Sequence, residues 1–107
     1  MLFRVGPLPD DHLDAASVFH GTILPQLRAS HDAVLTCLFD PAGHDHDDWR
    51  KAAIRSLARD CAPRRINAIV SGDDAAIAAA EAWLAGAEGI TGQYLPLDGV
   101  GAGKVIG

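Results

Sequence analysis

The densest group of residues able to do chemistry is the run His44-Asp45-His46-Asp47-Asp48, which lies ahead of a predicted helix. A His-x-His pair can place two imidazoles on one metal ion, with a carboxylate as a further ligand. Asp side chains at a helix start also cap its free N–H groups, so the same run is typical of an ordinary capping loop. Two interpretations stay open: a metal site built on His44 and His46, or a solvated helix start.

Other catalytic or binding chemistries have less support. Cys37 and Cys61 lie in segments of apolar periodicity without a Cys-x-x-Cys pair, which predicts buried free thiols in a reducing cytosol. No Gly-x-Ser-x-Gly turn suggests a nucleophilic serine. The run from Gly99 to Lys104 is glycine-rich, but Asp98 stands where a phosphate-binding loop needs glycine and no helix follows. We therefore expect no phosphate site there.

Length, charge and composition restrict the function classes. The chain has 107 residues, 49% of them hydrophobic and 21% charged, which predicts a single globular domain over residues 1–107. A net charge of −5 argues against nucleic-acid binding, because that binding depends on neutralising phosphates. No apolar run is long enough to span a membrane, and no segment resembles a secretion signal. We expect a cytoplasmic protein without nucleic-acid or membrane partners.

The apolar periodicity alternates between strand-like and helix-like segments, the pattern of an α/β layered fold. We expect four parallel strands joined by right-handed crossovers. The predicted strands are 2–5, 33–39, 66–70 and 94–97, and the predicted helices are 10–29, 49–61 and 74–85. The tail from Gly99 to Gly107 carries four glycines, and we expect it either to lack fixed structure or to pack against a neighbouring molecule.

Local signals predict how the helices begin, end and pack. Asp47 or Asp48 is expected to cap the second helix. The segment Ser71-Gly72-Asp73-Asp74 is expected to form the turn and N-cap of the third helix, and Gly86 to end that helix at its C′ position. Pro25 is expected to kink or divide the first helix. The first helix is predicted to bury one stripe, composed of Leu13, Ala16, Phe19, His20, Ile23, Leu24 and Leu27. The second is predicted to bury Trp49, Ala53, Ile54, Leu57, Ala58 and Cys61 and to expose Lys51, Arg55 and Arg59.

Three ordered segments resemble the C-terminal half of a short-chain dehydrogenase/reductase. They read RSLARDCAP over 55–63, INAIVSG over 66–72 and ITGQYLPLDG over 90–99. The family patterns are R-S-L-A-x-E-x-A-P, V-N-x-I-x-P-G and I-T-G-Q-x-L-x-V-D-G-G. The resemblance implies a truncated Rossmann-like three-layer sandwich, with about four parallel strands and helices on both faces. It also implies that the first two helices correspond to the family's dimer-forming helices.

The catalytic residue pair of that family has no counterpart at the corresponding positions of this sequence. The family uses a Tyr as general acid/base and a Lys four residues later, and a gap-free count places Gly43 and Asp47 at these positions. Shifting by one helical turn recovers Lys51 but puts Asp47 at the Tyr position. The family's Gly-rich nucleotide-binding half is absent too, and the only tyrosine is Tyr94. We expect no catalytic, cofactor-binding or metal residues for the lone chain, and a structural role for Asn67.

Charge is distributed unevenly along the chain. From Asp10 to Asp48 there are eight acidic residues against Arg28, whereas residues 50–65 hold six basic residues against Asp60. Such asymmetry is typical either of two solvated helix faces or of a surface that is self-complementary between copies.

Three hypotheses of function follow. The first is a degenerate short-chain dehydrogenase/reductase-like pseudoenzyme that acts as a subunit or interaction module. It would form a homodimer through helices 10–29 and 49–61, or a hetero-complex with a full-length family member. The second is an NAD(P)-dependent oxidoreductase, or a subunit of one, that completes its site with a partner. The third is a small metal-binding protein that uses His44 and His46.

Overall fold

Four parallel strands form a single sheet in the computed structural model, which describes residues 1–97. Their order in the sheet follows their order in the chain, and each begins and ends within one residue of its predicted bounds. The predicted tail from Gly99 to Gly107 lies outside the described residues. The strands are β1 (Leu2–Arg4), β2 (Val34–Phe39), β3 (Arg65–Val70) and β4 (Tyr94–Pro96).

The two central strands are buried on both faces, as their nearly continuous apolar sequences predict. They pair over six residues each, from Val34 opposite Arg65 to Phe39 opposite Val70. Alternate side chains point to opposite faces of the sheet, so the sheet has two hydrophobic cores. The larger core contains Leu35, Cys37, Phe39, Ile66 and Ala68, and the smaller contains Leu38 and Ile69.

Helices cover both faces, which confirms the three-layer α/β architecture. The helices are α1 (His12–Val18), α2 (Leu24–Ala29), α3 (Asp47–Asp60) and α4 (Asp74–Gly86). Residues of α2 and α3, including Leu27, Ile54 and Leu57, pack into the larger core, whereas Ile77 and Leu84 of α4 pack into the smaller one. No helix within residues 1–97 is long and apolar enough to cross a membrane.

The division of the first predicted helix at Pro25 is confirmed. A π-helical turn, Phe19–Ile23, separates α1 from α2, and Pro25 lies in the first turn of α2. The proline ring would crowd the carbonyl group four residues earlier in a regular α-helix. The wider turn, in which the Leu24 N–H donates to the Phe19 carbonyl, makes room for the ring without ending the helical path.

The prediction of right-handed crossovers throughout is wrong. All strands are parallel and each follows its predecessor in the same direction across the sheet, but α3 and α4 cover opposite faces. The crossover from β3 through α4 to β4 therefore has the opposite hand to the crossover from β2 through α3 to β3. The strong preference for right-handed connections is overridden because α4 must cover Leu38 and Ile69 on the second face.

Several local predictions also need correction. Leu13 is 69% exposed, and Ala15 takes the buried position on α1 instead. His46 is the N-cap residue of α3, so Asp47 and Asp48 lie in the first turn, where they still favour the helix dipole. Gly86 is the last residue of α4 rather than its C′ residue. The predicted cap at Asp73 is confirmed, since its carboxylate accepts from the N–H groups of Ala75 and Ala76.

Candidate functional site

A crevice of about 440 Å³ lies at the carboxyl edge of the sheet, where β2, β3 and β4 end. Ligands of open parallel α/β folds bind at this edge, because the loops that leave the strands form a cleft there. The walls are mainly apolar, with four ionisable side chains and one tyrosine among them. The lining residues are Pro41, Ala42, His44, Asp47, Arg50, Val70, Ser71, Gly72, Asp73, Tyr94, Pro96 and Leu97.

A chain of hydrogen bonds crosses this crevice. The Asp47 carboxylate accepts from the Tyr94 hydroxyl at 3.1 Å, and its second oxygen lies 3.3 Å from His44 Nδ1. The Tyr94 hydroxyl in turn accepts from Arg50 Nη1 at 3.4 Å. Tyr94 reaches this network from β4, 47 residues away from Asp47 in sequence. The sheet therefore joins a loop, a helix and a strand in one polar cluster.

Tyr94 is not suited to act as a general base at neutral pH, because its hydroxyl keeps its proton there. Burial raises the pKa of Tyr94, and the opposing effect of the neighbouring Arg50 guanidinium is smaller. Asp47 raises it further through its charge and its hydrogen bond. A tyrosine that acts as general base needs its pKa brought down towards the working pH. Tyr94 is thus a neutral hydrogen-bonding group of the crevice.

The two positions that the family resemblance assigns to the catalytic Tyr and Lys have other structural uses. Gly43 precedes a short 3₁₀ turn, His44–His46, and Asp47 begins α3. Lys51, the alternative lysine, does not line the crevice. It is exposed and borders a separate cavity of about 240 Å³, together with Arg55 and Gly92. Neither alignment places a Tyr-Lys pair at the carboxyl edge.

His44 and His46 have different environments. His44 is exposed, whereas His46 is 4% exposed and has both ring nitrogens engaged. Trp49 Nε1 donates to His46 Nδ1 at 3.2 Å, and because an indole only donates, the His46 proton is on Nε2, which donates to the Asp10 carbonyl at 2.9 Å. Within residues 1–97 no three potential ligands converge on one metal position. His46 instead joins the start of α3 to the segment before α1.

Asn67 is a structural residue in this fold. Its side chain is fully buried on β3. Nδ2 donates to the Ile90 carbonyl at 3.0 Å, and Oδ1 accepts from the Gln93 N–H at 3.0 Å. Asn67 thereby fixes the loop that leads to Tyr94, and each of its two polar side-chain atoms has a main-chain partner.

The prediction of a buried free thiol is confirmed for Cys37, whereas Cys61 is only partly buried. Both are free thiols, Cys37 fully buried and Cys61 partly exposed. Burial raises the pKa of the Cys37 thiol to about 12, so it is protonated and inert in the folded protein.

Arg50 is the main site residue that the sequence reading missed. Its side chain is 4% exposed and borders both the crevice and a neighbouring cavity of about 390 Å³. Residues 50, 53, 54 and 57 share one face of α3, so the helical period already placed Arg50 on the buried stripe. A charged residue on a buried stripe is the signal that could have identified it.

A second groove, of about 450 Å³, lies beside α3. Its other wall belongs to the α1–α2 segment, which consists of α1, the π-helical turn and α2. Its floor includes Leu24, Trp49, Ala53 and Leu57, while Ala52 and Ser56 form an exposed small-residue stretch along α3. Phe19 supports this floor from below, with its ring centroid 5.4 Å from that of Trp49. The groove lies on the two helical segments that the sequence analysis assigned to self-association.

Comparison with known proteins identifies the family. A family model described as "Short chain dehydrogenase-like protein" matches residues 3–97, nearly the whole of the described structure. Searches of curated proteins and of solved structures gave no match. The match covers all four helices and all four strands except for the first residue of β1, and it includes the three resembling segments up to residue 97. The chain belongs to the short chain dehydrogenase-like family.

Proposed function

We propose that this protein is a non-catalytic member of its family, a pseudoenzyme that serves as the subunit of a cytoplasmic homodimer. The observation that carries the proposal is the apolar groove between the α1–α2 segment and α3. Its surface is formed by the helices that the family resemblance relates to dimerisation. The free thiols of Cys37 and Cys61 are compatible with a reducing compartment.

The absence of the family's chemistry is supported by the residues at the carboxyl edge. Asp47 stands at the family's Lys position in the gap-free alignment and at its Tyr position in the shifted one. Its carboxylate accepts a hydrogen bond from Tyr94, whose pKa is raised. The turns that leave β1, β2 and β3 read GPLP, DPAG and SGD, none of which is a Gly-x-Gly-x-x-Gly turn. A dinucleotide pyrophosphate needs such a turn for close backbone approach. We infer that the lone chain binds neither NAD(H) nor NADP(H).

Self-association is supported by shape and charge. Ala52 and Ser56 are small and exposed, so a helix of a second copy can approach α3 closely. Arg28 and Asp60, the arginine and the aspartate in the groove lining, form an ion pair at 3.2 Å, so their opposite charges balance and do not repel a second copy. These features support the proposal that the groove binds a second copy of this chain.

The assembly can be tested by sedimentation velocity on the purified protein. We expect a dimer for the wild type and a monomer for Ala52→Glu at the same micromolar concentration. Two glutamates would be buried without partners across a two-fold interface, which should weaken association about 100-fold or more. Ala52 is exposed in the single chain, so the substitution should leave the melting temperature of the subunit nearly unchanged.

Ala79→Glu provides the matched control, because Ala79 is an exposed alanine on α4, the helix that covers the opposite face of the sheet. This variant should remain dimeric. A wild-type protein that stays monomeric up to about 100 μM contradicts the proposal. A dimer that survives Ala52→Glu but dissociates with Ala79→Glu also contradicts it, since the interface would then lie on α4.

A further inference from the structure

Arg50 carries a charge in the interior without a carboxylate partner among the described residues. Its side chain is 4% exposed, and the ion pairs within residues 1–97 are those of Arg28 with Asp60 and His44 with Asp47. A guanidinium keeps its proton in protein interiors, so this charge must be stabilised by dipoles, rings, the Asp47 carboxylate beyond the Tyr94 hydroxyl, or a ligand.

The protein groups around Arg50 satisfy only part of the guanidinium. Nη1 donates to the Asp40 carbonyl at 3.1 Å and to the Tyr94 hydroxyl at 3.4 Å, and the guanidinium carbon lies 4.6 Å from the centre of the Phe39 ring. Nε is buried and has no hydrogen-bond partner. Leaving a buried charged donor unpaired costs more than leaving a neutral one. The arrangement holds the guanidinium in place. The unpaired Nε is closed off from solvent, so a ligand in the crevice binds through the Nη groups, of which only Nη1 has a partner among the described residues.

The crevice beside Arg50 has the shape and lining of a small-molecule site. Its volume of about 440 Å³ is within the range of ligand cavities. Val70, Pro96 and Leu97 supply apolar wall, and Arg50 supplies the one positive group that is buried. This combination suits a ligand with a compact apolar body and a single negative group.

The acidic side chains of the crevice restrict the charge of that ligand. The Asp47 carboxylate is already bound by His44 and Tyr94, and Asp73 caps α4 through Ala75 and Ala76. Their remaining charge repels a dianion such as a phosphate monoester or a dinucleotide, because like charges in a partly buried site interact strongly. A monocarboxylate pairs with the Arg50 guanidinium and adds only one negative charge.

We propose that the carboxyl-edge crevice is a binding site for small apolar monocarboxylates, with Arg50 as the residue that recognises the carboxylate. Tyr94 holds the guanidinium through its hydroxyl and forms part of the wall. The lining of this site shares no residue with the lining of the groove between the helices.

The proposal can be tested by NMR titration of the labelled full chain with benzoate at constant ionic strength. Benzamide, which has the same ring and nearly the same shape without the charge, is the ligand control. We expect saturable shifts with benzoate in the millimolar range or tighter, and at least tenfold weaker binding of benzamide. Arg50→Met should weaken benzoate binding at least tenfold, whereas Arg55→Met, an exposed arginine on the same helix, should leave it unchanged.

A second variant keeps the test decisive if Arg50→Met does not fold. Gly72 is exposed at the crevice, and a Cβ atom added there would have Pro41 Cγ as its nearest neighbour at 3.8 Å, an ordinary contact. Gly72→Leu should therefore fold and obstruct the crevice while leaving Arg50 in place, and it should weaken benzoate binding at least tenfold. Equal binding of benzoate and benzamide, undiminished binding to Gly72→Leu, or no saturation by the wild type up to about 50 mM would each overturn the proposal.

Discussion

Replacing Asn67 by Leu is expected to lower the free energy of unfolding by about 3 kcal/mol. The substitution preserves the approximate volume of a fully buried side chain but removes its hydrogen bonds to the Ile90 carbonyl and the Gln93 N–H. Each main-chain group left buried without a partner costs about 1–3 kcal/mol. For a domain of this size, the melting temperature should fall by about 15 °C. Thermal and urea unfolding measure both quantities.

The matched control is Gln93→Leu. Gln93 is an exposed amide in the loop that Asn67 fixes, and its side chain makes only a long contact of 3.5 Å to the Thr91 carbonyl. This change should alter stability by less than about 0.5 kcal/mol. If Asn67→Leu were as stable as the control, Asn67 would not hold the loop, and the structural role assigned to it would be wrong.

Stability should also fall at alkaline pH, by about 3 kcal/mol between pH 9 and pH 11. The Cys37 thiol has a pKa of about 12 in the folded protein against 9.0 as its ordinary value, because burial opposes its ionisation. Between these values the unfolded chain loses a proton that the folded chain keeps. The stabilisation is complete below pH 9 and is lost as the pH rises towards 12, at about 1.4 kcal/mol per pH unit. The raised pKa of Tyr94 acts in the same direction above pH 10.

Urea unfolding at several pH values, with a reducing agent present, checks this expectation. Cys37→Ala should be less stable than the wild type at pH 8 because it leaves a cavity, but its stability should fall less steeply above pH 9. Cys61→Ala alters a partly exposed thiol and should keep the wild-type slope. An unchanged slope in Cys37→Ala would show that this thiol does not control the alkaline transition.

The sheet could be predicted from sequence because its signals are local. The apolar run ending at Phe39 and the segment Ile66–Val70 are long enough to indicate strands covered on both faces, and the turns around them contain Gly, Pro and Asp. The same run of hydrophobic residues predicts that the Cys37 thiol is buried, as it is in the fold. These features depend on residues close together in the chain, which explains why they could be predicted from the sequence.

The crevice depends on contacts between distant residues and could not be predicted in the same way. Tyr94 meets Asp47 only because β4 lies beside β3, and His46 meets the Asp10 carbonyl across 36 residues. The predicted stripe of the first helix also misplaced Leu13, because the face that is buried contains Ala15 and Phe19, and Leu13 lies on the exposed side. Arg50 was overlooked because its type suggests the surface, although its position on α3 indicates the core.

The most direct test of the non-catalytic assignment is calorimetric titration of the native protein with NADH and NADPH up to about 1 mM, well above the dissociation constants typical of cofactor sites. The turns after β1, β2 and β3 lack the glycine pattern for a pyrophosphate, and the carboxylates of Asp47 and Asp73 line the crevice at the carboxyl edge. We therefore expect no saturable heat with either nucleotide. Saturable binding to this chain would contradict the assignment, since it would require a dinucleotide site built without the Gly-rich turn.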